Sequence, residues 1–130
     1  MSAAAPQPVK ILLVDDDEDL LKVYQLTLSK TGYEVDVAEG GYQALGKMDK
    51  TAYDIVVLDL MMPNCSGFEV LLKLQEKKGA KPSVIVATGA HKDADTVKRI
   101  RLEPIVADFL FKPLEADALI DAISRALKKD

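Results

Sequence analysis

An α/β fold built on a parallel, doubly wound sheet is predicted by three observations. Five short apolar or alternating runs recur along the chain, each followed by a stretch with helical spacing. That alternation is the signature of a parallel sheet covered on both faces. Three of the runs, Ile11-Leu12-Leu13-Val14, Ile55-Val56-Val57-Leu58 and Val84-Ile85-Val86-Ala87, are apolar throughout, as strands buried on both sides are. Polar residues stand just past the runs: Asp15-Asp16, Asp59, Thr88 and Lys112. In a parallel sheet such positions gather at one edge.

Strands are expected at residues 9–14, 34–38, 54–58, 83–87 and 107–111, and helices at 17–30, 41–50, 65–77, 93–102 and 114–128. Asp17 is placed to cap the first helix, and Glu18 and Asp19 suit its positive end. Leu21, Tyr24 and Leu28 form its apolar face, and Gly32 follows its end, where a glycine ends helices well. The second strand, Glu34-Val35-Asp36-Val37-Ala38, alternates and reads as an edge. The fourth helix is thinly anchored, by Val97 and Ile100, and Pro104 stops it soon after. Such a segment beside a site is a candidate for motion. The fifth strand mixes Asp108 with Phe109 and Phe111 and reads as the other edge. Leu119, Ala122, Ile123, Ala126 and Leu127 give the last helix one apolar stripe. Two edges and a buried centre predict the flavodoxin-like order 2-1-3-4-5, with the site outside the C-terminal strand ends.

Composition narrows the function classes. A chain of 130 residues suits one compact domain, expected over residues 9–130 after a flexible lead-in at 1–8. No second domain, repeat or low-complexity tract is visible. No run reaches the roughly 20 apolar residues that span a bilayer, and the first residues lack the pattern of a secretory signal. The single Cys65 cannot form an internal disulfide, which fits a reducing cytoplasm. A net charge of −4 argues against direct nucleic-acid binding by this domain. Cys65 reads as a small packing residue. His91, the sole histidine, reads as a solvated loop residue.

The chemistry rests on the residues at the sheet edge. Asp15, Asp16 and Asp59 gathered together repel one another, and one would tend to hold a proton. A hard divalent cation removes that cost, and Mg²⁺ in particular takes oxygen ligands and shares its shell with phosphate. Taken alone, Asp15-Asp16 also suits the start of a helix. Asp17 already supplies that cap, and Asp59 follows a separate strand. A carboxylate such as Asp59 can attack a phosphoryl group and form an aspartyl-phosphate. Phosphoryl transfer needs mainly positioning and charge neutralisation, which Mg²⁺ and Lys112 would supply from two sides. Thr88 could donate to a phosphoryl oxygen.

With these residues in place, the chain resembles the receiver domain of two-component response regulators. The segments ILLVDDDEDL, DIVVLDLMMPNCSGFEV, VIVATGA and DFLFKP occur in that family's order and spacing. The resemblance implies that Asp59 is the phosphoacceptor. It implies that Asp15, Asp16, Asp59 and the backbone carbonyl of Met61 hold Mg²⁺. Thr88 and Lys112 become the switch hydroxyl and the phosphate-pairing lysine, and Phe109 the aromatic switch residue, which rotates into space vacated by Thr88. Lys112-Pro113 matches a pair usually cis in the family. Met61 and Ala90 occupy the positions that tune hydrolysis, and neither side chain offers a polar group to an attacking water. One departure is Pro104-Ile105-Val106-Ala107, where the family usually carries Gly-Ala.

The resemblance implies a phosphorylation-dependent signalling switch. A histidine kinase or phosphotransfer protein would supply the phosphoryl group, and the only catalysis would be self-phosphorylation and self-dephosphorylation. Phosphorylation would change a surface around helix 4, strand 5 and helix 5 that meets a downstream protein or a second copy. The competing class is a Mg²⁺-dependent phosphohydrolase with an aspartate nucleophile. Asp15-Asp16-Asp17 contains a D-x-D of that kind, but here the isolated acid follows the third strand, and only helix acids follow Lys112. A degenerate receiver that merely binds is a third possibility, opposed by the intact Asp59, Thr88 and Lys112.

Overall fold

A computed structural model describes residues 8–89 and 94–128 of the chain. Five strands alternate with five helices: β1 (Lys10–Val14), α1 (Glu18–Ser29), β2 (Glu34–Ala38), α2 (Gly41–Lys50), β3 (Ile55–Leu58), α3 (Gly67–Glu76), β4 (Ser83–Thr88), α4 (Ala94–Leu102), β5 (Val106–Phe111) and α5 (Ala116–Lys128). The strands form one parallel sheet in the order β2-β1-β3-β4-β5. The expected fold class, strand order and edges are therefore observed.

The pleat divides each central strand between two cores. Ile11, Leu13, Val57, Ile85 and Ala87 pack with Leu21 and Leu28 of α1 and with Leu119, Ala122, Ile123 and Ala126 of α5. Leu12, Val14, Val56, Leu58, Val84 and Val86 pack on the other side with α2, with Val70, Leu71 and Leu74 of α3, and with Ile100 of α4. Each face of the sheet is thus covered, which is why residues 11–14 of β1, 55–58 of β3 and 84–87 of β4 are apolar throughout.

Local chemistry sets the helix ends. The Asp17 carboxylate accepts from the backbone N–H of Asp19 and Leu20, both at 3.1 Å. Thr31 closes α1 onto the Leu28 carbonyl, and Gly32 then takes a φ of +92°, a conformation that favours glycine. Helix α3 starts at Gly67, not at residue 65. Asn64 adopts a φ of +70°, and the Ser66 hydroxyl caps the helix by accepting from Glu69 N–H at 3.3 Å. Helix α5 likewise starts two residues later than expected, at Ala116. Lys112-Pro113 is cis, and the first helical bond there runs from Leu119 N–H to the Glu115 carbonyl. Ile100 is the one fully buried residue of α4, with Val97 packed partly beneath it. No helix among the described residues is long and apolar enough to cross a membrane.

Candidate functional site

The strand register builds the site. Val14 pairs with Leu58 and Leu58 with Val86, so Asp15 and Asp59 leave the sheet at one level. The ladder continues through them: Asp59 N–H donates to the Val14 carbonyl at 3.0 Å, and Asp15 N–H to the Ala38 carbonyl at 3.2 Å. Thr88 pairs with Phe111, and Lys112 N–H donates to the Thr88 carbonyl at 3.0 Å. Strand alternation then sorts the side chains. Leu13, Val57 and Leu110 belong to the α1/α5 core, and Asp15, Asp59 and Lys112 follow two residues later on that same face. Thr88 falls on the opposite face, with Phe109.

Asp15 and Asp59 are buried, whereas Asp16 is exposed. One carboxylate oxygen from each of the three lies within 4.8 Å of the others. The Lys112 ammonium contacts Asp15 in a short ion pair and stands 3.5 Å from Asp59 Oδ2. Asp15 Oδ1 accepts from Asp17 N–H at 3.0 Å, and Asp59 Oδ1 accepts from Met61 N–H at 3.3 Å. Burial pushes the Asp59 carboxyl above the usual carboxylate range; Lys112 pulls it down and Asp15 pushes it up again. Burial alone would lower the Lys112 ammonium, but Asp15 and Asp59 outweigh that and hold it above the usual lysine range. The site therefore contains a costly buried carboxylate, one cation that spans two acids, and an all-oxygen donor set. Such a set fits a hard divalent ion.

The remaining expected residues are distributed around this centre. Thr88 is fully buried. Met61 is 56% exposed beside Asp59, at the mouth of the site. Phe109 is already buried, at 3% exposure. The Arg101 guanidinium stands over its ring at 5.4 Å, and the Phe111 ring packs 5.0 Å away. An inward rotation from an exposed position is thus not what buries Phe109 here; cation–π and aromatic contacts already hold it. Ala90 and His91 lie outside the described residues. Cys65 is buried, as a packing residue should be, and burial pushes its thiol up.

Two supporting residues had no role at the site assigned from the sequence: Gly67, which matches the family's glycine after Pro63, and Tyr24. A Cβ on Gly67 would stand 2.2 Å from the Asp59 carbonyl oxygen, so only glycine lets α3 start against the strand that carries Asp59. Tyr24, assigned only to the apolar face of α1, also reaches the acidic site. A glycine after a loop and an aromatic on a helix face carry no distinct signal alone. A separate open cleft of about 610 Å³, lined by Gln75, Lys81, Ser83 and Glu103, lies at the N-terminal strand ends and shares no residue with the site.

Comparison with known proteins identifies the class. The model of the response regulator receiver domain matches residues 11–124, and the chain belongs to that family. Among curated relatives, the transcriptional regulatory protein GlrR of Escherichia coli K12 is 36% identical over 124 residues, covering 95% of this chain and 27% of GlrR. The crystal structure of the signal receiver domain of a LuxO repressor protein from Vibrio parahaemolyticus superposes with a TM-score of 0.86 at 30% identity, covering 94% of this chain and 92% of that one. TrrA of Thermotoga maritima, solved in complex with Mg²⁺ and BeF, superposes with a TM-score of 0.78 at 29% identity, covering 91% of this chain and 98% of that one. The chain spans only 27% to 51% of the length of curated relatives such as GlrR and YkoG of Bacillus subtilis.

Proposed function

We propose that this chain is a phosphorylation-dependent switch that accepts a phosphoryl group on Asp59 from a histidine kinase or a phosphotransfer protein. The observation that carries this is the buried Asp59 carboxylate, held beside Asp15 with Lys112 in reach of both. An Asp59 carboxylate oxygen attacks the phosphorus of a donor phosphohistidine. The N–P bond breaks, the imidazole leaves with its electron pair and takes a proton from solvent, and Asp59 becomes an acyl phosphate. Lys112 then shifts from Asp15 toward the phosphoryl oxygens, and Thr88 donates to another. Asp15, Asp16, Asp59 and the Met61 carbonyl would hold Mg²⁺, which supplies charge neutralisation when bound. That TrrA was solved with Mg²⁺ and BeF supports this assignment.

The reading places the receiver over residues 9–130, in the cytoplasm. Its output is a changed surface on α4, β5 and α5, where Arg101 and Phe111 are exposed above the buried Phe109. A downstream protein or a second copy would dock there. The curated relatives named as transcriptional regulators support an output into gene expression.

The test is phosphorylation by acetyl phosphate with Mg²⁺. The parent should gain one phosphate mass that hydroxylamine removes, and Asp59→Asn should gain none. Equal labelling of that variant would move the nucleophile elsewhere, and steady turnover of a generic phosphate ester would favour a phosphohydrolase. The acyl phosphate should also be long-lived, because Met61 and Ala90 give an attacking water no polar partner. Where such help is present it is worth about 10²–10⁴-fold. Decay that is fast in the parent, or unchanged in the Met61→Asn, Ala90→Glu double variant, would count against this.

A further inference from the structure

The two strand ends that carry Asp59 and Asp15 hold their carboxylates by the same local device. Asp59 Oδ1 accepts from the N–H of Met61, two residues on, at 3.3 Å. Asp15 Oδ1 accepts from the N–H of Asp17, again two residues on, at 3.0 Å. Aspartate side chains readily close short turns of this kind. Behind the Asp15 turn stands a helix. Asp17 is the N-cap of α1, with extended backbone at φ −93° and ψ 101°. Its carboxylate accepts from the N–H of Asp19 and of Leu20, both at 3.1 Å. Its carbonyl accepts from the N–H of Leu21, also at 3.1 Å, and Leu21 is buried in the core under α1. Three hydrogen bonds thus tie Asp17 to a helix whose place is set by packing.

The N–H and the side chain of a residue sit at opposite ends of its N–Cα bond, so φ sets the angle between them. Fixing the Asp17 carboxylate on α1 therefore also aims the Asp17 N–H, and it is aimed at Asp15. The other oxygen of Asp15, Oδ2, meets the Lys112 ammonium. That partner leaves when Lys112 turns to a phosphoryl group, as proposed above, whereas the Asp17 N–H stays. We propose that Asp17 is a positioning residue for Asp15: its helix cap holds the turn that keeps the Asp15 carboxylate gathered with those of Asp16 and Asp59. This inference rests on the reading of that cluster as a Mg²⁺ site. The rival reading is a cap that stabilises α1 and leaves metal binding untouched.

Asp17→Asn keeps an acceptor oxygen and loses the charge. Asp17→Ala loses both, so the difference between these variants reports the cap alone. In Mg²⁺ titrations followed by amide chemical shifts, the alanine variant should bind about 3- to 10-fold more weakly than the asparagine variant, the scale of one lost hydrogen bond. Asp17→Gly separates positioning from helix stability. Glycine at a cap costs a helix little but frees φ. That variant should unfold in urea close to Asp17→Asn, yet bind Mg²⁺ as weakly as Asp17→Ala. Equal Mg²⁺ affinity in all three, each checked for folding by circular dichroism, would overturn the proposal. So would affinities that simply follow helix stability, with glycine matching asparagine. A readout free of metal is hydrogen exchange of the amide at position 17, corrected for the intrinsic rate of each sequence. It should be slow in the parent and Asp17→Asn and faster in Asp17→Gly and Asp17→Ala. Equal protection in all four proteins would overturn the proposal even where Mg²⁺ affinity differs. A parent that binds no Mg²⁺ would sink the metal reading itself, and the exchange rates would still decide whether the Asp17 cap holds Asp15.

Discussion

At the scale of single residues, the site depends on close approaches as much as on its charged groups. Gly67 is the clearest case. A methyl group there would collide with the Asp59 carbonyl oxygen at 2.2 Å and with Leu60 Cα at 2.7 Å, both backbone atoms that cannot swing away. Gly67→Ala should therefore cost about 3 kcal/mol in urea unfolding, at the upper end of ordinary overpacking. It should slow phosphorylation as well, because the atoms displaced belong to the phosphoacceptor; a variant as stable and as active as the parent would refute this. Tyr53 gives a pH prediction. It is buried and donates to Asp36 Oδ2 at 2.6 Å. Burial, then that hydrogen bond, push its phenol up to about 12, against an unfolded value near 10. The folded state then binds more protons than the unfolded state between those values, so stability falls as pH rises from about 10 to about 12. Tyr53→Phe should remove part of that alkaline slope, read from thermal midpoints of parent and variant across the interval. The acids and Lys112 were legible in the sequence because each is a polar residue directly after an apolar run. Gly67 was legible only as a match to the family's glycine, and the place of Tyr24 at the site was not legible, because both roles depend on what the fold brings near them.

The elements differ in how firmly they are held, and α4 is held least. It contributes one fully buried side chain, Ile100, whereas α5 contributes Leu119, Ala122, Ile123 and Ala126. Amide hydrogen exchange should therefore be about 10-fold or more faster in α4 than in α5, as expected where little apolar area opposes opening. Ile100→Ala should widen that gap without accelerating α5, and uniform protection of both helices would contradict it. The thin anchoring of α4 was readable from Val97, Ile100 and Pro104. Strand order was readable too, because central strands must be apolar on both faces and edge strands need not be. The starts of α3 and α5 were displaced by two residues. The apolar character of Cys65 and Leu114 extends the helical pattern backwards, but the Asn64 turn and the segment around Pro113 keep those residues outside the helices. The contact of Arg101 with the Phe109 ring could not be read from strand position, since it depends on where α4 lies against β5.

For the whole molecule, the proposed metal site at the acidic edge predicts that stability depends on Mg²⁺. The three carboxylates lie together only when β1 and β3 are paired, so a divalent ion held by them would bind the folded chain in preference to the unfolded one. Mg²⁺ at ten times its dissociation constant should then add about 1.4 kcal/mol, seen as a rise in thermal midpoint that chelation reverses. Asp16→Asn should remove most of that gain while leaving the metal-free midpoint nearly unchanged, because Asp16 is exposed. An equal Mg²⁺ response in that variant would place the ion elsewhere. The loop between β3 and α3 offers a way to watch the same edge open. The single cysteine of the chain, Cys65, lies buried against α2 so tightly that a Cβ on Gly41 would stand 2.6 Å from its sulfur. A thiol reagent reaches that sulfur only when α2 and the loop part. The native protein thus carries its own clock, and the rate of alkylation counts how often the ground beneath Asp59 gives way.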